Sequence, residues 1–276
     1  CALPISKISS ASTAMGIVCL MLLLAIGALS CGFSLHHTLL ESVEQTTPYM
    51  YTYMQDEVIS EQDMMRLLMV NNSREWNQVN VYGDKTTLKS VLPLMQGADK
   101  DTLYQDAALD YVSLSDYNKA MAAQGKKRVS LAEDEAFFIS GRKDILDAFT
   151  ASSQQHKAVT VFDDRLTLTD KKNEVSMLST GYMPDIMLAV VVPDAVLQGQ
   201  RPVRTYWNIN LSQEKQISRY DETVKQNLEE YARQSAIAGY HYSGVTRDEV
   251  KESSLGSGML FIYIGLYRSE ERRVGK

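Results

Sequence analysis

A run without a single charge, TAMGIVCLMLLLAIGALSCGFSL from Thr13 to Leu35, constrains this chain more than any other feature. As a helix it reaches roughly 34 Å at about 1.5 Å per residue, enough to cross a hydrocarbon core of about 30 Å. A buried helix of a water-soluble domain carries a polar stripe over such a length, and this run is apolar all round. A secretory signal has a shorter apolar core followed by a small-residue cleavage site, and Ala28-Leu29-Ser30 is the nearest approach to one. The run therefore predicts a transmembrane helix over 13–35.

The chain from His36 to Gly258 is a different material, mixing charged, polar and apolar residues in globular proportions. Its length suits one sizeable domain or two small lobes with a core of their own. It carries 32 acidic and 23 basic residues. That balance excludes a nucleic-acid partner, which requires a basic face. An acidic surface attracts cationic ligands, and it is equally the ordinary state of many domains. Cys19 and Cys31 lie in the apolar run and Cys1 is terminal, so 36–258 holds neither a disulfide framework nor a cysteine zinc site. His36, His37, His156 and His241 are scattered without metal-ligand spacing, so no metal or other cofactor is expected.

A second apolar run, Met259–Tyr267 (MLFIYIGLY), is about half the length of a span and stops at Arg268. The tail RSEERRVGK and the opening CALPIS look like translated sequencing-adaptor sequence, so 1–6 and 268–276 are expected to be foreign. The resulting division is a cytoplasmic leader over 1–12, a membrane helix over 13–35 and an extracellular domain over 36–258. The start of a second membrane helix occupies 259–267, and the non-native tail 268–276. Lys7 ahead of the first run, with Glu41 and Glu44 behind it, places the amino end inside and the large domain outside.

The pattern within 36–258 is α+β, a mixed sheet with flanking helices. Alternation predicts strands over 49–55, 78–82, 110–113, 135–139, 158–162, 175–178 and 203–211. The run DIMLAVVV over 185–192 is apolar on both faces and belongs in a sheet centre. Ser60-Glu61-Gln62-Asp63 has the form of a capping box opening a helix, and Gly83-Asp84 closes the second strand. Ser115 is read as the cap of a helix that ends at Gly125. Ile217, Tyr220, Val224, Leu228 and Tyr231 recur at helical spacing within a long helix over 213–237, and a further helix begins near Thr246.

No phosphate-binding loop, dinucleotide fingerprint, His-Glu-x-x-His or Gly-x-Ser-x-Gly occurs, and nothing argues for catalysis. Glu133-Asp134-Glu135 and Asp163-Asp164 are short acidic clusters, of a kind that more often sits in turns than in acid–base sites. Asn71-Asn72-Ser73 and Asn210-Leu211-Ser212 fit a glycosylation sequon, which matters only in a eukaryotic secretory setting. Trp207 and its aromatic neighbours read as core rather than a pocket wall, as do Met50, Met54, Met64, Met65 and Met69.

Several segments together resemble the FtsX-like permeases of ABC transporters, in particular the bacitracin-resistance (BceB-like) type. They are Ile8-Ser9-Ser10 with the apolar run as far as Leu35, Tyr111 to Lys119, Gly125-Lys126-Lys127, Thr205 to Asn210, and Phe261 to Tyr267. The resemblance implies a multi-pass bacterial membrane protein with its large domain outside, between two late transmembrane helices. It implies a separate ATP-binding subunit that hydrolyses ATP, a cell-wall-active peptide as substrate, and in some relatives a partner histidine kinase. It supplies no catalytic residues, and this chain departs from the pattern after Tyr267, where further apolar sequence is expected. The ligand region of a sensor such as a histidine kinase remains an alternative, and a tethered hydrolase a more distant one.

Overall fold

The computed structural model describes residues 15–16, 18–23, 26–27, 30, 34, 43–44, 47–56, 59–70, 76–88, 106, 108–153, 158–169, 172–181, 188–211, 217–234, 242–254 and 256. The chain divides into two compact units, one of Cys1–Glu44 with Lys251–Lys276 and one of Gln45–Val250. In the first, the described residues between 15 and 34 are helical. Leu20, Met21, Leu22 and Leu23 are consecutive and 49–70% exposed, so apolar side chains face outward on every side of this helix. Among the described residues no helix is long and apolar enough to cross a membrane. The leader 1–12, the run 259–267 and the tail 268–276 lie outside the described residues.

The second unit is a mixed sheet of ten strands with helices on both faces, the α+β class expected. Its strands are β1 Tyr51–Gln55, β2 Trp76–Thr87, β3 Ala108–Ser113, β4 Glu135–Ser140 and β5 Ala158–Val161, followed by β6 Asp164–Leu168, β7 Glu174–Val175, β8 Ala189–Val192, β9 Arg204–Ile209 and β10 Tyr242–Thr246. Its helices are α1 Glu61–Leu67, α2 Leu114–Ala123, α3 Lys143–Ser153 and α4 Ile217–Gln234, with a 3-10 turn at Asp194–Leu197. The spatial order is β10-β1-β9-β2-β3-β8-β4-β6-β5, and β7 pairs with β4. Most neighbours are antiparallel, whereas β3 and β8 run parallel at the centre with Ser113 opposite Val192.

Alternation along each strand divides the core. Tyr111 of β3 and Val190 and Val192 of β8 face Ile145 and Leu146 of α3 and Val196 and Leu197 of the 3-10 turn. Val112, Ala189 and Val191 face the other way, against Tyr117, Ala120 and Met121 of α2. Toward β1, Tyr51, Tyr53, Trp207 and Ile209 are covered by Met64 and Leu67 of α1 and by Val224 and Leu228 of α4. The Ala-Val-Val-Val of β8 is buried throughout, as a central strand covered on both faces requires.

The helix ends follow their sequence signals with one exception. Ser60 Oγ accepts the Asp63 N–H at 3.1 Å, and Gly125 takes φ +72° so that the Lys126 N–H reaches the Met121 carbonyl at 2.8 Å. The cap of α2 is Ser113 rather than Ser115, because Ser113 Oγ accepts the Asp116 N–H at 3.1 Å. Gly83-Asp84 does not close β2. The strand runs on to Thr87 through a register shift, and Asp84 Oδ1 accepts from the Thr86 N–H and the Tyr111 hydroxyl there. The strand expected over 175–178 stops at Val175. Beyond it the chain is drawn toward β1 and β9, where Asn208 Nδ2 donates to the Leu178 carbonyl at 2.8 Å and the Thr180 N–H to Thr52 Oγ1 at 2.8 Å.

Three elements carry no clear sequence signal. Helix α3 begins within a Ser-Gly-Arg-Lys-Asp stretch that reads as a turn, β6 holds only two apolar residues, and β10 has a central glycine. Gly244 is required in β10, since a Cβ there would lie 2.8 Å from the Tyr53 ring. Residues 247–254 are helical, and Thr246 and Glu249 form a reciprocal capping box at their start, with N–H to side-chain distances of 2.9 and 3.0 Å. Residues 213–216 and 235–237 of the long helix expected, and 185–187 of the apolar strand, lie outside the described residues.

Trp207 is fully buried and stacks on Trp76 with ring centroids 5.3 Å apart. Replacing it by alanine is expected to lower the unfolding free energy by about 3–5 kcal/mol. Urea denaturation followed by circular dichroism measures this, and a loss below about 1 kcal/mol would mean that the Trp207 site is not the packed core seen here.

Candidate functional site

The parallel pair β3 and β8 sends its two outgoing connections in opposite directions. From β3 the chain passes through α2 on one face toward β4, while from β8 it passes through the 3-10 turn on the other face toward β9. Diverging connections leave a crevice beyond the carboxyl ends of parallel strands, the place where open sheets hold their ligands. A cleft of about 650 Å³ lies there, within the range of small-molecule sites.

Its walls are polar. Asn80 and Tyr82 come from β2, Ser113, Ser115 and Asp116 from the end of β3 and the first turn of α2, and Asp194, Ala195 and Leu197 to Gln200 from the 3-10 turn and the bend after it. Asp116 is buried, and its Oδ2 accepts the Asn80 backbone N–H at 3.0 Å and Asn80 Nδ2 at 3.2 Å. Lys119 Nζ stands 3.4 Å from its other oxygen, with the lysine side chain 62% exposed. Asp194 lies at the surface, and its Oδ1 accepts the Ser115 N–H at 2.9 Å. The start of α2, an electropositive helix end, is thus held by Ser113 and a carboxylate of the chain itself. Burial pushes the Tyr82 phenol above its usual range, and the charges of Asp116 and Asp194 add to the effect. Tyr82 therefore lines the cleft as the neutral phenol. Gly199 adopts φ +83°, a turn that favours glycine and sets Gln198 and Gln200 on either side of it.

The acidic clusters noted in the sequence are turns. Glu135 starts β4 and accepts from Lys172 Nζ at 2.9 Å and from the Ala132 N–H at 3.2 Å, which hold its carboxyl below the usual range. Asp163 sits in the turn between β5 and β6, beside Phe162 at φ +51°, and Asp164 opens β6. Met64 and Trp207 are core, Met50, Met54 and Met65 pack against core clusters, and Met69 is 41% exposed. Of the histidines, 36, 37, 156 and 241 lie outside the described residues, as do the sequon residues 71–73. Asn210 Oδ1 accepts the Met50 N–H at 3.0 Å. Among the described residues no group of three His, Cys, Asp or Glu side chains is placed to hold a metal.

The sequence reading missed the cleft residues because their only signals are local. Ser113-Leu114-Ser115-Asp116 is a strand end followed by a capped helix, and Pro193-Asp194 closes an apolar strand. What unites them is the parallel pairing of β3 with β8, residues about eighty positions apart in sequence. No protein-family model matches the chain, and no curated protein matches it.

On β3, beside β8, Asp110 forms an ion pair with Arg204 of β9, two strands away across β2. Burial of Asp110 outweighs the attraction of the guanidinium and pushes its carboxyl up to about 6. This value lies above that of the unfolded chain, so the folded state holds the proton more tightly between about pH 4 and about pH 6. The Asp110 contribution to stability is therefore present in full below about pH 4 and lost as pH rises through about 6. Carbon-detected carboxyl titration should show a midpoint near pH 6 that disappears in Asp110→Asn. A protein in which no carboxyl titrates above pH 5 would refute the assignment.

Proposed function

We propose that the chain is part of the permease subunit of an ABC transporter of the FtsX-like type. In this reading Thr13–Leu35 and the run beginning at Met259 are transmembrane helices of a bacterial cell membrane. The α+β unit is the extracellular domain inserted between them, working with a separate ATP-binding subunit in export of, or resistance to, cell-wall-active peptides. The observation that carries the reading is where the domain's two chain ends emerge. β1 begins the sheet domain and β10 ends it, and they pair antiparallel with Tyr51 opposite Thr246. The Arg247 N–H donates to the Met50 carbonyl at 2.8 Å, and Arg247 Nε to the Thr47 carbonyl at 3.1 Å. A domain threaded between two neighbouring helices needs its entry and exit side by side, and this one has them clamped together.

The apolar side chains exposed all round the helical residues between 15 and 34 support a lipid neighbour, since water tolerates no such surface. The resemblance of Tyr111–Lys119 and Thr205–Asn210 to the permease family falls on β3, α2 and β9, the scaffold of the sheet and of the cleft. In such a protein, movement at the clamp formed by β1, β10 and Arg247 is transmitted between the domain and the membrane helices as one rigid-body step.

The reading is tested in cells on the full-length protein with Cys1, Cys19 and Cys31 replaced by alanine. A cysteine in place of the exposed Glu61 should react with a membrane-impermeant maleimide in intact cells, and the protein should resist carbonate extraction and copurify with an ATP-binding subunit. Flexible Gly-Ser insertions after Glu44 and after Val250 should abolish peptide resistance while leaving that association intact. Labelling only after lysis, or copurification with a histidine kinase and no ATP-binding subunit, would overturn it.

A further inference from the structure

The cleft at the carboxyl ends of β3 and β8 has a chemistry that selects its ligand. Asp116 and Asp194 bring two negative charges to one concavity, and the remaining walls are hydroxyls, side-chain amides and backbone with Ala195 and Leu197 among them. None of the lining residues is basic. An anion is disfavoured on two grounds: the carboxylates repel it, and the N–H groups of Ser115 and Asp116 at the start of α2 already donate to Asp194 and Ser113. Two acceptor-only carboxylates set the charge of the cleft. Asp194 Oδ2 has no protein partner among the described residues, and Gln198 and Gln200, both exposed, line the same cleft. Asp116 is partly met by Asn80 and Lys119, which leaves Asp194 as the principal charge and Asp116 as the field behind it.

We infer that this cleft binds an alkylammonium group, with Asp194 as its charged partner and the carbonyl oxygens of Gln198 and Gln200 and the Ser115 hydroxyl as further acceptors. A primary ammonium presents a positive charge, three donors and no acceptor, so it matches a wall that carries two carboxylates and no basic side chain. Its apolar stem fits beside Leu197, which lines the cleft next to these acceptors. The charge-assisted bond to Asp194 is stronger in a concavity than on open surface, because the low-dielectric walls reduce screening by water. The cleft forms within the single unit Gln45–Val250, so the inference stands on its geometry and not on the permease reading.

The group has two sources, a lysine-bearing peptide or a free polyamine, and the experiment separates them. The full chain in detergent is titrated calorimetrically with tri-lysine, with spermidine, with fully acetylated tri-lysine and with calcium chloride. Tri-lysine, spermidine or both are expected to bind, weakening as salt rises. Tri-lysine alone identifies a peptide ligand and spermidine alone a polyamine. Asp194→Asn keeps the acceptor for the Ser115 N–H while removing the charge, and is expected to weaken binding at least tenfold. Asp147→Asn, on the exposed face of α3, should leave it unchanged. If Asp194→Asn fails to fold, Gln198→Ala with Gln200→Ala carries the test, with at least threefold weakening expected. Equal binding of acetylated tri-lysine, displacement of both amines by calcium, unchanged binding in the cleft variants, or no binding of either amine would overturn the proposal. None of these outcomes bears on the membrane topology or the ATP-binding partner, which are read by labelling and copurification.

Discussion

The insertion of β1 between β9 and β10 is the pairing on which the rest of this domain depends. Tyr51–Gln55 meets Arg204–Ile209 on one side and Tyr242–Thr246 on the other, so the first strand is held by two of the last three regular elements of the domain. Closing such long loops is entropically unfavourable and slow, and it succeeds only if the strands bury a large surface when they meet. They do so on one face with Tyr51, Tyr53, Trp207 and Ile209 beneath α1 and α4. On the other face Met54 and Tyr206 join the central apolar cluster, while the contacts of Thr52 and Asn208 are polar. Thr52 Oγ1 donates to Asn208 Oδ1 at 2.7 Å, and Thr180 exchanges hydrogen bonds with Thr52 and Tyr49. A one-residue slip would turn Trp207 toward the polar group of Thr52 and Thr180 and Asn208 toward the apolar cover of α1 and α4, so the two chemistries together fix the register.

That register has consequences at both ends of the sheet. At the β10 edge it brings the entry and exit of the domain together and leaves Arg247 spanning them. Toward the centre, β9 aligns β2, β2 aligns β3, and β3 accepts β8 in parallel. The two connections of this parallel pair depart on opposite faces, and the cleft is the space between them. The same ladder therefore supplies the clamp through which the domain would act on its neighbours and the concavity in which it would receive a ligand.

Much of the scaffold is legible in the residues. The buried strand over 189–192, the capped helix beginning at Glu61 and the glycine stop at Gly125 follow from burial pattern, capping chemistry and a left-handed backbone, each of which is local. The acidic pairs proved to be turn residues for equally local reasons. Where local reading failed, a distant partner had intervened. Ser115 resembles a cap, yet its N–H is claimed by Asp194 and Ser113 performs the capping. Val175 to Leu178 alternates like a strand, yet Asn208 takes the Leu178 carbonyl. β10 has weak strand character and is a strand because β1 offers it an edge and Tyr53 leaves room only for glycine at 244.

The sequence by itself determined the materials: an uncharged apolar run, an acidic α+β domain without cysteine, and the caps and buried strands within it. These are properties of composition and of spacings shorter than a helix turn or a strand, which a linear reading can measure. The tertiary structure alone decided which residues share a site. Asp116 and Asp194 are unremarkable acids until β3 and β8 lie parallel, and Thr47 and Arg247 are two hundred positions apart until β1 and β10 pair. Strand pairing joins residues by hydrogen bonds that are the same for every side chain, so the sequence carries its order only through the burial it permits.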